Sequence, residues 1–245
     1  MVLLFLIGPI FVWAEFIAAL PSAAWDFTGA TIVDVTLTSF FYSASVALAV
    51  LAIAIVTAVL WLLEGGVGRA VIVAVMGFAM VSGLLVRNYS WIALFSSKLA
   101  TEHLPLLYTP GAVVLVMTLV LAPLAFFIVR EALKNIPVQA IQAAKTLGVS
   151  DFRILVFLCL RSSRRWITLS GLLTFCSSMA YFITPRMIGG QQDYFIGNLI
   201  VISVERSGNL LTASALALVL LLSLMPILAL IVLVAPKQRR QRVSL

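Results

Sequence analysis

The sequence predicts an all-α integral membrane protein with six transmembrane helices, and three observations lead to this prediction. First, 63% of the 245 residues are hydrophobic and only 10% are charged, whereas a soluble domain is about 45–50% apolar and about 25% charged. Second, the apolar residues fall into six stretches near the length of about 20 residues that a membrane-crossing helix needs. Third, these stretches are apolar on every face, unlike the alternating strands of a membrane β-barrel. A soluble enzyme, a disordered protein and a disulfide-rich scaffold are therefore excluded.

The six predicted spans follow one another in a single membrane domain over residues 1–245. The first is apolar except for Glu15, the second is the longest, and the third and fifth are the shortest, with aromatic or polar flanks that extend them. The first stretch could instead be a signal peptide, because small residues follow it, but it lacks a positively charged start. The predicted spans are residues 2–20, 37–63, 70–86, 111–129, 167–183 and 210–234.

The distribution of basic residues predicts the orientation of the spans. The chain has 16 Lys and Arg against 9 Asp and Glu, which gives a net charge of +7. Twelve of the basic residues lie in the loop 130–166, in the tail after residue 234 and at Arg69, and four lie on the other side. Because basic loops resist translocation, both termini are predicted to be cytoplasmic. Topology therefore accounts for the positive charge, and we expect no nucleic-acid partner.

Sequence motifs for chemistry are absent. The chain contains no GxxxxGK[ST] loop for ATP, no HExxH and no GxSxG. Its single histidine, His103, falls in a predicted outer loop, and Cys159 and Cys176 lie 17 positions apart without a CxxC pattern. We therefore expect no catalytic residue, no metal ligand and no cofactor bound by this chain itself.

A stand-alone carrier driven by an ion gradient remains an alternative. Such carriers keep ionisable groups and broken helices near the membrane midplane, whereas Glu15 is the one charged residue inside a predicted span. A carboxylate in hydrocarbon is costly. Glu15 is therefore expected either to face protein or water, or to reach the outer interface.

The loop 130–166 is the longest hydrophilic connection, and its pattern predicts a short helix. Pro137 suits a helix start, residues 138–147 are good helix formers, and Gly148 is expected to end the helix. A second helix is expected to follow and to lead into the fifth span. One face of the first helix carries Val138, Ile141, Ala144 and Leu147.

Within this loop, the residues QAAKTLG at 142–148 resemble the E-A-A…G coupling motif of permease subunits of type I ABC importers. The small alanines in the motif would let another protein approach the helix closely. The sequence departs from the family pattern at Gln142, where glutamate is usual, and at Arg161 and Arg165, where prolines are usual.

Three further segments resemble the spermidine/putrescine branch of the same family, so the resemblance covers nearly the whole chain in order. They are VRNYSW at 86–91, YTP at 108–110, and TPRMIGG at 184–190 followed by IGNLI at 196–200.

The resemblance implies a permease of the MetI-like fold in a bacterial inner membrane. It implies a second permease subunit, usually a different one, two cytoplasmic ATP-binding cassette ATPases that hold ATP and Mg, and a periplasmic substrate-binding protein. Transport would follow alternating access, in which helix bundles rock as the ATPases close and open. The resemblance assigns ATPase coupling to Gln142, Ala143, Ala144, Lys145, Leu147, Gly148 and Arg153.

The resemblance also implies that the outer region around residues 185–198 lies near a gate. Aromatic faces and carboxylates would suit an amine cation such as a polyamine. Tyr89 and Trp91 would equally suit anchoring at the membrane interface. The candidate solute-pathway residues are Glu15, Tyr89, Trp91, Tyr181 and Asp193.

Overall fold

A computed structural model describes residues 29–97, 106–134, 136, 138–150, 153, 160–190, 195–205, 208 and 210–234. Within these ranges the chain is helical and contains no strand, in agreement with the predicted all-α class. Several predicted features lie outside the described residues: the span 2–20 with Glu15, the loop histidine His103, Cys159, Asp193 and the basic tail after residue 234.

The described helices are numbered in chain order. They are α1 (Gly29–Leu63), α2 (Gly66–Val81), α3 (Leu84–Phe95), α4 (Pro110–Lys134), α5 (Val138–Thr146), α6 (Arg164–Met179), α7 (Ile183–Ile188), α8 (Ile196–Glu205) and α9 (Leu210–Val234).

The two long helices α1 and α4 form the centre of the fold and run in the same direction. Tyr42, part-way along α1, and Pro110 at the start of α4 line one groove. Arg130 lies over the ring of Trp61 near the last turns of both helices. The face of α1 in this core is built from small or β-branched side chains, and Val50, Ala54 and Ala58 are completely buried. In lipid, where apolar surface gains little by leaving the solvent, such small residues stabilise a bundle by letting backbones approach closely.

Helix α6 packs antiparallel against α1. Phe175 contacts Phe40 edge to face at a centroid distance of 5.0 Å, while Gly171 lies against Leu51 further along α1. A Cβ atom built at Gly171 would lie 2.8 Å from Cδ1 of Leu51. The absence of a side chain at this glycine therefore sets how closely the two helices approach.

The third predicted span, residues 70–86, is not one straight helix. It is divided between α2 and α3, which meet at a bend of 100°. Ser82 and Gly83 are extended, with ψ angles of 131° and 140°. The break leaves the carbonyl of Ala79 without its helical partner, and the Arg87 guanidinium donates to it at 2.8 Å. This polar replacement stabilises a bend that the apolar stretch 70–86 did not indicate.

The fifth predicted span, residues 167–183, is also shorter in the structure. Helix α6 has 16 residues, a rise of about 24 Å, and ends at Met179. The chain restarts as α7, in which Pro185 lacks the N–H group that a continuous helix would use. At the other end, a turn at Ser163 separates α6 from the helical residues 160–162.

Three helical stretches are long and apolar enough to cross a membrane. The bent pair α2–α3 would be a fourth if it is counted as one span. The protein is therefore membrane-embedded, and the described part of the chain does not reach the six predicted crossings. The three stretches are Val33–Leu63, Pro110–Lys134 and Leu210–Val234.

Candidate functional site

Helix α5 is a short segment that follows α4 at the end of the bundle marked by Trp61 and Arg130. It ends as the sequence predicted, because Gly148 has a φ of +73°, the left-handed region that favours glycine. The Val149 amide then donates to the carbonyl of Ala144 at 3.1 Å, the long-range bond of a Schellman cap. The cap satisfies a carbonyl that the helix end would leave unpaired, so the shape of this segment is defined by its own sequence.

The surface of α5 is exposed and only weakly polar. Gln142 and Ala143 are exposed and Ala144 is half-buried, while Leu147 just before the cap is 82% exposed. The exposed side chains of Ala143, Leu147 and Val149 give this end of α5 an accessible apolar surface. Of the other residues in the predicted coupling set, Arg153 is exposed and the side chain of Lys145 lies outside the described part of the structure.

The opposite end of the bundle holds the three described members of the predicted solute pathway, and they do not form one site. Tyr89 on α3 is 63% exposed, which fits an interfacial position. Trp91 turns inward and packs on Phe95 at a centroid distance of 5.6 Å. Tyr181, between α6 and α7, contacts both the apolar cluster around Trp91 and Phe95 and the central core between α1 and α4.

A buried polar cluster joins α3 to α7 beside Tyr181. Asn88 is completely buried and accepts a hydrogen bond of 2.8 Å from the hydroxyl of Thr184. Arg87 donates to Val120 on α4 at 3.2 Å as well as to the end of α2. The phenol oxygen of Tyr181 lies beside Thr184 and within the field of Arg87, but it makes no well-formed hydrogen bond to a described residue. The cluster therefore holds α3, α4 and α7 together and leaves one buried hydroxyl unpaired.

The start of α8 is fixed by a side chain from α1. The hydroxyl of Ser39 accepts a hydrogen bond of 2.9 Å from the backbone N–H of Ile196 and donates to the carbonyl of Val35 at 2.8 Å. Next to it, Tyr42 stacks on Phe195 at 5.5 Å. Asp193, the candidate pathway residue that precedes this helix, lies outside the described part.

An exposed ion pair links α7 to the end of α8. Arg186 donates to Glu205 at 2.7 Å. This hydrogen bond and the charge of the carboxylate raise the pKa of Arg186 above its usual value. Both side chains are about half exposed, so the pair contributes little to stability.

An open groove of about 570 Å³ lies between α1 and α4. Its lining is mostly apolar and includes the hydroxyl-bearing residues Tyr42, Ser45 and Thr118. The Thr118 hydroxyl is buried without a hydrogen-bond partner among the described residues. Among all the residues that the structure describes, no group of three or more His, Cys, Asp or Glu could hold a metal ion.

Sequence reasoning missed Ser39, Asn88 and Thr184 as structural contacts. Their signal in the sequence is weak, because other polar residues stand close to each of them and each partner is distant along the chain. Thr184 and Asn88 are 96 positions apart, and Ser39 and Ile196 are 157 apart.

The helices define a membrane-embedded helical protein, and comparison with known proteins indicates which kind. The chain is 29% identical over 105 residues to the inner membrane ABC transporter permease protein YdcU of Escherichia coli strain K12. The matched stretch is 43% of this chain and 33% of that protein, so the chain spans about a third of the relative it matches. No family model matches the chain. The similarity supports the general class of an ABC transporter permease.

Proposed function

We propose that this chain is a transmembrane permease subunit of an ATP-driven importer in a bacterial inner membrane and that α5 couples it to a cytoplasmic ATPase. The observation that carries the proposal is the capped, exposed helix α5, with Leu147 displayed beside Gly148. The similarity to an ABC transporter permease supports the same role.

In this role the chain contributes half of the solute pathway, and ATP hydrolysis takes place on partner subunits. ATP and Mg would be bound by two ATPase subunits, since the sequence carries no phosphate-binding loop. A second permease subunit would complete the pathway, and a periplasmic binding protein would deliver the solute. ATP binding would favour one of two arrangements of the assembly, and α5 would transmit the movement to the bundle.

For the solute we propose a small cation such as a polyamine, on the motifs shared with the spermidine/putrescine branch. Tyr89 is available at the surface and Trp91 and Tyr181 are partly buried, so these aromatic faces would act at successive depths. Arg87 lies close to Tyr181 and would repel a cation at the deepest position. The proposal therefore places the cation nearer Tyr89 and Trp91 than Tyr181.

The coupling role is tested with Leu147→Asn in the complex reconstituted with its ATPases, the second permease and the loaded binding protein. Loss of an exposed apolar contact at the centre of an interface should lower the stimulated ATPase rate about tenfold. Folding should be unaffected, because the side chain makes little contact with the rest of the bundle. The matched control is Leu210→Asn, a leucine that is 65% exposed at the opposite end and should leave the rate unchanged.

Two outcomes would contradict the proposal. Equal stimulation in Leu147→Asn and the wild-type protein would show that α5 is not the coupling surface. Solute uptake by the purified chain alone, in liposomes with an ion gradient and no ATPase, would instead establish the stand-alone carrier.

A further inference from the structure

Tyr108, in the turn before α4, has a left-handed backbone with a φ of 65°. Among the described residues, it is the one residue other than glycine with a positive φ. A side chain with a Cβ atom pays about 1–2 kcal/mol for this conformation, and a bulky residue rarely adopts it. Glycine would adopt it without that cost. The backbone alone therefore favours glycine at this position.

Hydrogen bonds on both sides hold the turn in this conformation. The N–H of Tyr108 donates to the carbonyl of Ile188, the last residue of α7, at 3.0 Å. Thr109 donates to the carbonyl of Leu106 from its N–H at 3.1 Å and from its hydroxyl at 2.6 Å. The same hydroxyl accepts from the N–H of Ala112 at 3.3 Å. The turn therefore holds the backbone of Tyr108 in one fixed position against α7.

The side chain of Tyr108 gains little from the described bundle. It is 66% exposed, and it belongs to none of the apolar clusters of described residues, whereas Leu106 and Leu107 just before it pack on the cluster around Phe95. Its ring makes no aromatic contact with another described residue. A large side chain that strains the backbone and stays exposed indicates a contact outside the bundle.

The surface beside this turn is charged. Arg186 lies within one turn of Ile188 on α7 and is paired with Glu205, at the end of α8, at 2.7 Å. Both charged side chains are about half exposed, which fits a position in contact with water, because charged groups are costly in hydrocarbon. An exposed aromatic ring bordered by exposed charges has the composition of a protein interface, with an aromatic centre and a polar rim.

We propose that Tyr108 is the centre of the surface on which the periplasmic solute-binding protein docks, with Arg186 and Glu205 at its rim. The inference rests on the proposed function, which places that protein at the end of the bundle opposite α5. Tyrosine is one of the residue types that dominate interface energies, and a backbone already fixed by hydrogen bonds loses little freedom on binding.

A water-soluble protein is favoured over the two other partners of an exposed tyrosine. A ring that only anchors a helix at the membrane interface would need no strained backbone and no adjoining ion pair. A ring that contacts the solute would belong inside the pathway, whereas Tyr108 precedes the membrane-crossing helix α4.

The test titrates the reconstituted complex with the loaded binding protein and measures ATPase activity. Tyr108→Ala should raise the half-saturating concentration of binding protein about tenfold, because it truncates the central residue of the interface. The maximum rate should stay unchanged. The control Phe41→Ala removes a ring that is 68% exposed within a membrane-crossing helix and should leave both values unchanged.

Tyr108→Gly separates docking from folding, because it removes the ring and relieves the positive φ. The SDS fraction that unfolds half of the purified chain should not fall, since glycine adds only a smaller freedom to the unfolded state. The half-saturating concentration should rise as it does for Tyr108→Ala.

Three outcomes would overturn the proposal. An unchanged half-saturating concentration in both variants would show that Tyr108 does not contact the binding protein. A lower maximum rate at an unchanged half-saturating concentration would assign the ring to the solute pathway. A marked loss of unfolding stability in Tyr108→Gly would show that the ring stabilises the bundle or its place in the bilayer. If the loaded binding protein does not stimulate even the wild-type complex, the proposed function itself fails, and this docking surface fails with it.

Discussion

Replacement of Ser39 by alanine should detach the start of α8 from α1. The Ser39 side chain is completely buried, and its hydroxyl is the described acceptor for the first backbone N–H of α8, at 2.9 Å. Alanine keeps the helical backbone of α1 but removes that acceptor. The N–H of Ile196 would then stay buried without its hydrogen-bond acceptor. The carbonyl of Val35 would lose only the bond from the hydroxyl and would keep its place in the helix.

The magnitude of this effect follows from which group is left unpaired. A buried donor without an acceptor costs about 1–3 kcal/mol, and loss of a helix N-cap costs typically about 1 kcal/mol. Hydrogen bonds between membrane helices average only about 0.6 kcal/mol, with a maximum of about 1.7 kcal/mol, because the unfolded state in the membrane also finds partners. We therefore expect Ser39→Ala to lower the free energy of unfolding by about 1–2 kcal/mol.

The measurement is unfolding in mixed dodecyl maltoside and SDS, followed by tryptophan fluorescence. Ser45→Ala is the matched control, because Ser45 lies on the same helix and donates only to Phe41, one turn earlier. Its effect should stay within about 0.5 kcal/mol. If the two variants lose the same free energy of unfolding, the link between α1 and α8 does not stabilise the fold and the reasoning is refuted.

Three other substitutions test separate contacts. Gly148→Ala should destabilise the end of α5 by about 1–2 kcal/mol, because the positive φ of this residue is the feature that opposes a side chain. Gly148→Asn should lose less. The measurement is amide hydrogen exchange at the end of α5, and equal exchange in both variants would contradict this reasoning. A double-mutant cycle of Asn88→Ala with Thr184→Ala should give a coupling energy of about 0.6 to 1.7 kcal/mol in thermal unfolding, and strict additivity would show that the 2.8 Å bond is unimportant. Glu205→Gln should lower stability by less than about 1 kcal/mol, and less still at high salt, since its bond to Arg186 is exposed; a larger, salt-independent loss would indicate a buried role.

The features that could be predicted from the sequence are those that depend on local composition. The ends of α9 coincide with the predicted span 210–234, and α4 contains the predicted 111–129, because a long uninterrupted apolar run has no alternative to a helix in lipid. The end of α5 at Gly148 was also predictable, since glycine is the residue that adopts the left-handed cap without strain.

The remaining features depend on partners that are distant in the sequence. The bend between α2 and α3 is stabilised by Arg87, which reaches both the end of α2 and the carbonyl of Val120 on another helix. Tyr42 stacks on Phe195, just before α8, and Trp61 packs against Arg69 and Arg130 from two other helices. Hydropathy registers only the mean polarity of a stretch and contains no information about these pairs.

The bend between α2 and α3 also changes how this side of the protein meets the bilayer. Helix α2 has 16 residues and none of them is buried within the described structure. It rises about 24 Å, about 6 Å less than a hydrocarbon core of about 30 Å. A short segment is accommodated by thinning of the bilayer, by snorkelling of flanking residues or by oligomerisation, at a cost of a fraction of a kcal/mol for each ångström of mismatch. Shorter acyl chains would reduce this difference in length. A thicker bilayer would increase it and would strain the bend at residues 82–83, so the shape of this bend would respond to the lipid composition of the membrane.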